Sequence, residues 1–433
     1  MNNLKKAGAI GGAIVIVACW PLAVGQIGQR ILTEGAQNAG NDRVAVSLVK
    51  YDRGYLSSEV QTKITLLDPR LKQQFIADGL PTEFVLNSHV SHGVVSLSSQ
   101  TTLADYRDFP MTLQTTTQLN GNTDFNLVLN AWNYHRDGKE PFTVSLSPSY
   151  LKGMVTKLGE VKFESKIPSL AIDFDNQAKI VLTDMTTKGE GKQTNGFWIG
   201  DQVLTIGKLT GQGNLPEEPA KAGEEKTAPV ALELNGFNYH FTSKLDEQQT
   251  RFSSQHVFTL VALDSKTVHA KQMELDFALN GVDSNAFKQL SNLYQNNPSL
   301  SNEEIGKALP YVDTLFSQGF DVSLGKMDAT IGEGRFTSQV SLSVPKGTEH
   351  VSQNPAAVVT ALTGHIGTTA STALLEQFPE MHKWADELVV MEMATQNDKG
   401  YALKAEIKDG SVVFDNGEKI PLISLVMMGM RGY

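Results

Sequence analysis

The chain has 433 residues, a formal net charge of −10 and a single cysteine, Cys19. The acidic balance argues against nucleic acid and anionic headgroups as general partners, since both need concentrated Lys and Arg. Beyond residue 19 there is no thiol for an intramolecular disulfide or a cysteine-based zinc or iron–sulfur site, although the length suffices for one long domain or several compact ones.

The chain begins with Lys5-Lys6, an uncharged run from Ala7 to Gln29, and then Arg30. That run reaches the roughly 20 residues a helix needs to cross hydrocarbon, although Gly8, Gly11, Gly12 and several alanines dilute its apolar character. Two lysines before the run and one arginine after it predict a single span within residues 1–30 and export of residues 31–433. Three fates compete: an uncleaved anchor, cleavage at the small-residue site Ala23-Val24-Gly25, and acylation at Cys19. The last follows from Ile16-Val17-Ala18-Cys19, which looks like a lipobox; Gly8 and Gly12 form a weak GxxxG contact signal.

From Val44 onward the pattern has period two. Val44, Val46 and Leu48, then Val60, Ile64 and Leu66, predict a hairpin around Asp52-Arg53-Gly54. Leu113 to Leu119, the turn Asn120-Gly121 and Phe125 to Leu129 predict another. Further strands are expected over 179–184, 197–209, 231–241, 251–263 and 271–279, with Met273, Leu275, Phe277 and Leu279 on one face. Between them, residues 215–229 hold three prolines and four glutamates and predict a solvated flexible loop.

Helical periodicity appears in two insertions, at about 283–318 and 368–394. The first carries Ala286, Phe287, Leu290 and Leu293, then a capping box at Ser301 and Glu304, an internal Pro310 and a terminal Gly319. The second carries Met381, Trp384, Leu388 and Met391 at helical spacing. Strands resume at 320–324, 336–344 and 401–407. The expected class is α+β and β-dominated: an extended, twisted antiparallel sheet with two helical insertions behind one N-terminal membrane helix, its apolar face packed by the helices or open as a groove.

Motifs that would carry a reaction are not found. His89 and His92, three apart on a strand, point to opposite faces and cannot share a metal without a bulge. Trp132, Tyr134 and His135 form an aromatic patch read as a core edge in preference to a sugar platform. Gly189-Glu190-Gly191-Lys192 lacks phosphate-loop spacing, and Gly332-Glu333-Gly334-Arg335 reads as a hairpin turn. No catalytic, cofactor or metal residue is therefore assigned, and a pair of carboxylates assembled by folding is the one enzymatic alternative.

The segment Tyr51-Asp52-Arg53-Gly54-Tyr55-Leu56-Ser57-Ser58, with His92-Gly93, Ala308-Leu309-Pro310 and Asn416-Gly417-Glu418-Lys419 downstream, resembles the YdgA/YihF family of enterobacterial envelope proteins of unknown function. The chain is shorter than its family and carries Cys19 in the membrane run, both departures from the pattern. The resemblance implies a single-pass inner-membrane protein with its bulk in the periplasm, able to self-associate, and it supplies no catalytic residues. Tyr51, Arg53, Gly54, Ser57, Ser58, His92 and Gly93 are its motif positions, and Tyr51 to Ser58 is read as a structural corner. The functional expectation is a non-catalytic protein that binds an apolar ligand, another envelope protein or its own copy through a one-sided sheet. A periplasmic hydrolase acting on glycan or peptide is the alternative.

Overall fold

The structure is a computed structural model describing residues 44–53, 57–77, 81–92, 96–104, 109–118, 120–137, 141–174, 178–216, 227–296 and 301–424. The expected anchor over 1–30, Cys19, Gly54 and Gly93 lie outside the described residues. The chain is β-dominated and its strand pairings are antiparallel, in two compact units: residues up to 175 with 181–192, and residues 176–180 with 193 onward.

The first unit orders strands β1 (Val44–Arg53), β2 (Ser57–Leu66), β3 (Glu83–His92), β4 (Ser96–Leu103), β5 (Met111–Gln118) and β6 (Thr123–Leu129) as a meander of neighbours. It continues with β7 (Trp132–Arg136), β8 (Phe142–Leu146), β9 (Ser149–Val155) and β10 (Glu160–Phe174). Leu129 faces Ser149 and Trp132 faces Leu146, so β6–β7 and β8–β9 are each one strand interrupted without a change of register. β10 pairs with β9 and then with β8 along its length.

Alternation decides what this unit buries. Val46, Ile64, Leu86, Leu113, Phe125 and Leu127 point to one side and form its core, with helix α1 (Pro69–Ala77) contributing Phe75. Leu113 is 0% exposed. Two hydroxyls in this interior satisfy each other, Ser88 Oγ and Thr101 Oγ1 at 2.7 Å.

β11 (Lys179–Thr194) is followed by the strands of the second unit: β12 (Phe197–Pro216), β13 (Thr227–Leu245), β14 (Arg251–Ser265), β15 (His269–Asp283), β16 (Phe320–Ile331), β17 (Gly334–Val344) and β18 (Thr363–Ala370). The short β19 (Thr395–Asn397), then β20 (Gly400–Lys408), β21 (Ser411–Phe414) and β22 (Lys419–Pro421), complete it. Each strand from β12 to β18 pairs with the next, and β20 pairs with β18. The ladder between β12 and β13 reaches Pro216 opposite Thr227, so strand covers part of the stretch expected as a loop over 215–229.

Helices α2 (Ser284–Asn296) and α3 (Asn302–Gln318) connect β15 to β16. The Ser301 capping box forms as the sequence predicts: Ser301 Oγ accepts from the Glu304 amide and Glu304 Oε2 accepts from the Ser301 amide. Helix α4 (Ala356–Ala361) precedes β18, and α5 (Thr372–Gln377) and α6 (Pro379–Val390) follow it. No helix among the described residues is long and apolar enough to cross a membrane.

Candidate functional site

Paired residues in an antiparallel sheet share a face, so the register of the second unit sorts its side chains. One transverse row runs Leu204, Tyr239, Phe258, Leu275 and Met327 across β12 to β16. Beside it run Gln202, Phe241, His256, Phe277 and Leu324, and on the other side Ile206, Phe237, Leu260 and Met273. The opposite face is polar. His240 meets Asp201 at 2.6 Å, Lys326 meets Glu274 at 2.6 Å, and Arg335 holds Asp328 through two bonds of 3.0 and 2.7 Å. Exposed pairs of this kind contribute little stability, so this is a solvated surface.

The apolar face is closed at its two ends and open between them. At one end Phe252, on the same face through its pairing with Leu245, stacks with Phe197 at 4.6 Å and with Phe287 of α2 at 5.8 Å. At the other end Leu362, Met393, Ile420 and Leu422 pack over Ala405 and Ile407, which are buried. In the middle none of the large side chains is fully buried, and Phe277 and Met327 are 36% and 40% exposed. Such a contiguous apolar surface is uncommon on a chain with no partner for it.

Within this stretch the rings are ordered. Tyr239 stacks on Phe258 with centroids 4.5 Å apart and on His256 at 6.1 Å, while His256 tilts against Phe241 at 4.9 Å and Phe277 at 6.0 Å. One polar thread crosses it: Tyr239 Oη lies 2.8 Å from His256 Nδ1, and His256 Nε2 lies 3.2 Å from Ser254 Oγ. Burial raises the Tyr239 phenol and lowers the His256 imidazole relative to their ordinary values. A neutral imidazole accepts at Nδ1 from the phenol and donates from Nε2 to the serine, which satisfies all three groups.

A pH dependence follows. With its folded value depressed, His256 binds fewer protons in the folded than in the unfolded chain once the pH falls below about 6.5. The stability it confers is fully present above that pH and is lost as the pH falls toward the folded value. His256→Gln is expected to flatten the fall in melting temperature of the second unit below about pH 6.5, as measured by calorimetry across the acid range.

The polar face carries a shallow depression of about 400 Å³ that holds two acids, Asp321 and Glu406, beside His365 and Lys408. Lys408 bonds Glu406 and holds its carboxyl below the usual range. Among the described residues, Glu164 through Lys152, Glu233 through Asn235 and Lys208, Asp246 through the Arg251 amide, Asp313 through Ser352 and Asp328 through Arg335 are also held low. A general acid for glycoside or peptide hydrolysis needs the opposite shift. No cluster of three or more metal-ligating side chains occurs among the described residues.

Of the positions singled out in the sequence, Tyr51, Arg53, Ser57, Ser58 and His92 lie at one end of the neighbouring strands β1, β2 and β3, where Arg53 pairs with Ser58 and Ser57 with Ser91, and the others are spread over both units. Tyr51 lies on β1 and Ser57 and Ser58 on β2; Ser58 is buried and its hydroxyl donates to Tyr51 Oη at 3.3 Å. The backbones of Arg53 and Ser58 are paired, and His92 pairs with Leu97. His89 meets a carboxylate oxygen of Glu59, its neighbour across the ladder. Trp132 and Tyr134 stack at 5.4 Å in a line of half-buried rings reaching from Phe109 to Phe142 and Phe174. Gly189 to Lys192 lie in β11, and Gly332 to Arg335 turn β16 into β17. The alternating aromatics on β13 and β14 carry the signal of this face in the sequence, and its extent across β12 to β16 follows from the strand register.

Residues 4–423 match the family described as bacterial protein of unknown function, DUF945. No curated protein and no solved structure matches the chain.

Proposed function

Because the chain belongs to the DUF945 family of bacterial proteins of unknown function, whose description carries no activity, we propose a role from its own geometry: a non-catalytic envelope protein that binds apolar partners on its open face. It is tethered to the inner membrane by residues 1–30, with the bulk of the chain in the periplasm. The apolar residues on the open face suit a ligand with an extended hydrocarbon body, and the Tyr239–His256–Ser254 thread offers a polar end a place to hydrogen-bond. The apolar surface of another envelope protein, or of a second copy, fits the same chemistry. The observation that carries this reading is the half-exposed middle of the face between two covered ends. The anchor rests on the uncharged run flanked by Lys5, Lys6 and Arg30.

The downward shift of Glu406, held low by Lys408 in the depression, weighs against the hydrolase alternative. Tyr239, Phe258 and Phe277 changed together to serine are expected to weaken the binding of a fluorescent fatty acid to the full chain by at least about tenfold, while the exported amount stays unchanged. Equal binding by the variant and the parent would rule out this face as the site.

A further inference from the structure

Helix α6 is mounted the wrong way round for a core helix. Its apolar residues Met381, Trp384, Leu388 and Met391 recur at the alternating three- and four-residue spacing of a coiled-coil seam, with Met391 as the C-cap. Met381, Trp384 and Met391 are 49%, 68% and 47% exposed, and Leu388 is half-buried. The less exposed side of the helix carries His382, Ala385 and Val389, and hydrogen bonds to Tyr401 tie the helix to the sheet. Tyr401 Oη donates to Asp386 Oδ1 at 2.6 Å and accepts from Gln396 Nε2 at 2.8 Å, and His382 Nε2 lies 3.1 Å from the same oxygen. Asp386 sits on the side away from the seam, so these bonds keep the apolar stripe outward.

The flanks of the seam choose among occupants. With Met381 and Leu388 as first seam positions, the charged residues bordering the stripe within the helix are Glu380 and Glu387, both exposed and both acidic. In an antiparallel pairing with a second copy, glutamates would face glutamates, and an anionic bilayer would be repelled by the same residues. We propose that α6 docks an amphipathic helix of another protein whose apolar seam is bordered by Lys or Arg. Trp384 and the flanking methionines supply the buried anchor of that contact, and the acidic border sets its register and its salt dependence.

The test uses the full chain in an uncharged detergent and two synthetic helices with leucine at both seam positions, one bordered by lysine and the other by glutamate. The lysine peptide is expected to bind at least about tenfold more tightly than the glutamate peptide, with the difference shrinking at about 0.5 M salt. Trp384→Ser should abolish binding, and E380Q with E387Q should remove the preference between the peptides. Because these side chains are exposed and the Tyr401 bonds are untouched, both variants should keep the parent melting temperature. Equal binding of the two peptides would overturn the proposal. So would quenching of Trp384 emission by brominated lipid in nanodiscs, which assigns the stripe to the bilayer, or a fall in oligomer mass in Trp384→Ser, which assigns it to a second copy.

Discussion

Leu113→Ala is expected to destabilise the first unit by about 2–5 kcal/mol, the range for a large buried side chain truncated without collapse of its site. Leu113 is 0% exposed and faces Leu127, itself 1% exposed, on the neighbouring strand. Its other cross-strand neighbour, Thr101, is buried and bonded to Ser88, so a hydroxyl network borders the void and resists its closure. The core that would lose packing lies wholly within the first unit. Calorimetry should therefore show the transition of that unit moving down by roughly 5–15 °C while the other stays in place. A shift of both transitions together would mean that the units unfold as one.

The second large effect is at Gly153. A Cβ there would stand 2.0 Å from the carbonyl oxygen of Lys162, 2.8 Å from Phe163 Cα and 2.9 Å from the ring of Phe125. Two of these are backbone atoms of the paired strand, so β9 and β10 would have to separate along the ladder from Val155 to Tyr150. Gly153→Val is expected to cost about 3 kcal/mol or more and to reduce the soluble folded yield. Gly211→Ala, where nothing lies within 4 Å, is the matched control and should change stability by less than about 1 kcal/mol.

Much of the fold could be read from the residues, for a physical reason. Where one side of a strand is buried, period-two alternation is strict, and β1, β2, β5, β6 and β20 follow it closely. The turns at Asn120-Gly121 and Gly332-Glu333 were equally plain, because Gly121 and Gly332 adopt positive φ angles of 85° and 57°. The capping box of α3 was local chemistry and formed as expected. Strand length was harder to read. β11 runs to Thr194 and β12 to Pro216, through Gly189, Gly191, Gly211 and Gly213, because pairing sustains segments whose own β propensity is poor.

The candidate sites were less legible because amphipathy reports that a face is apolar and does not report whether anything covers it. Met273, Leu275 and Phe277 alternate as a buried face would, yet Phe277 is 36% exposed because α2 reaches only the Phe252 end of the sheet. The stripe from Met381 to Met391 shows helical spacing in the sequence, yet Met381, Trp384 and Met391 are exposed, while His382 and Asp386 on the other side bond Tyr401. In the same way, the aromatic cluster around Tyr239 depends on the register of β13 against β14, which no single segment reveals.

The most direct test of the central claim is photocrosslinking in living cells with a benzophenone amino acid placed singly at Phe258 or Phe277 on the open face, and at Thr259 or Thr337 on the polar face. Adducts are expected from Phe258 and Phe277, with lipid or one envelope protein as the crosslinked mass, and none from the threonine positions. Adducts of equal yield from both faces, or from neither, would contradict it.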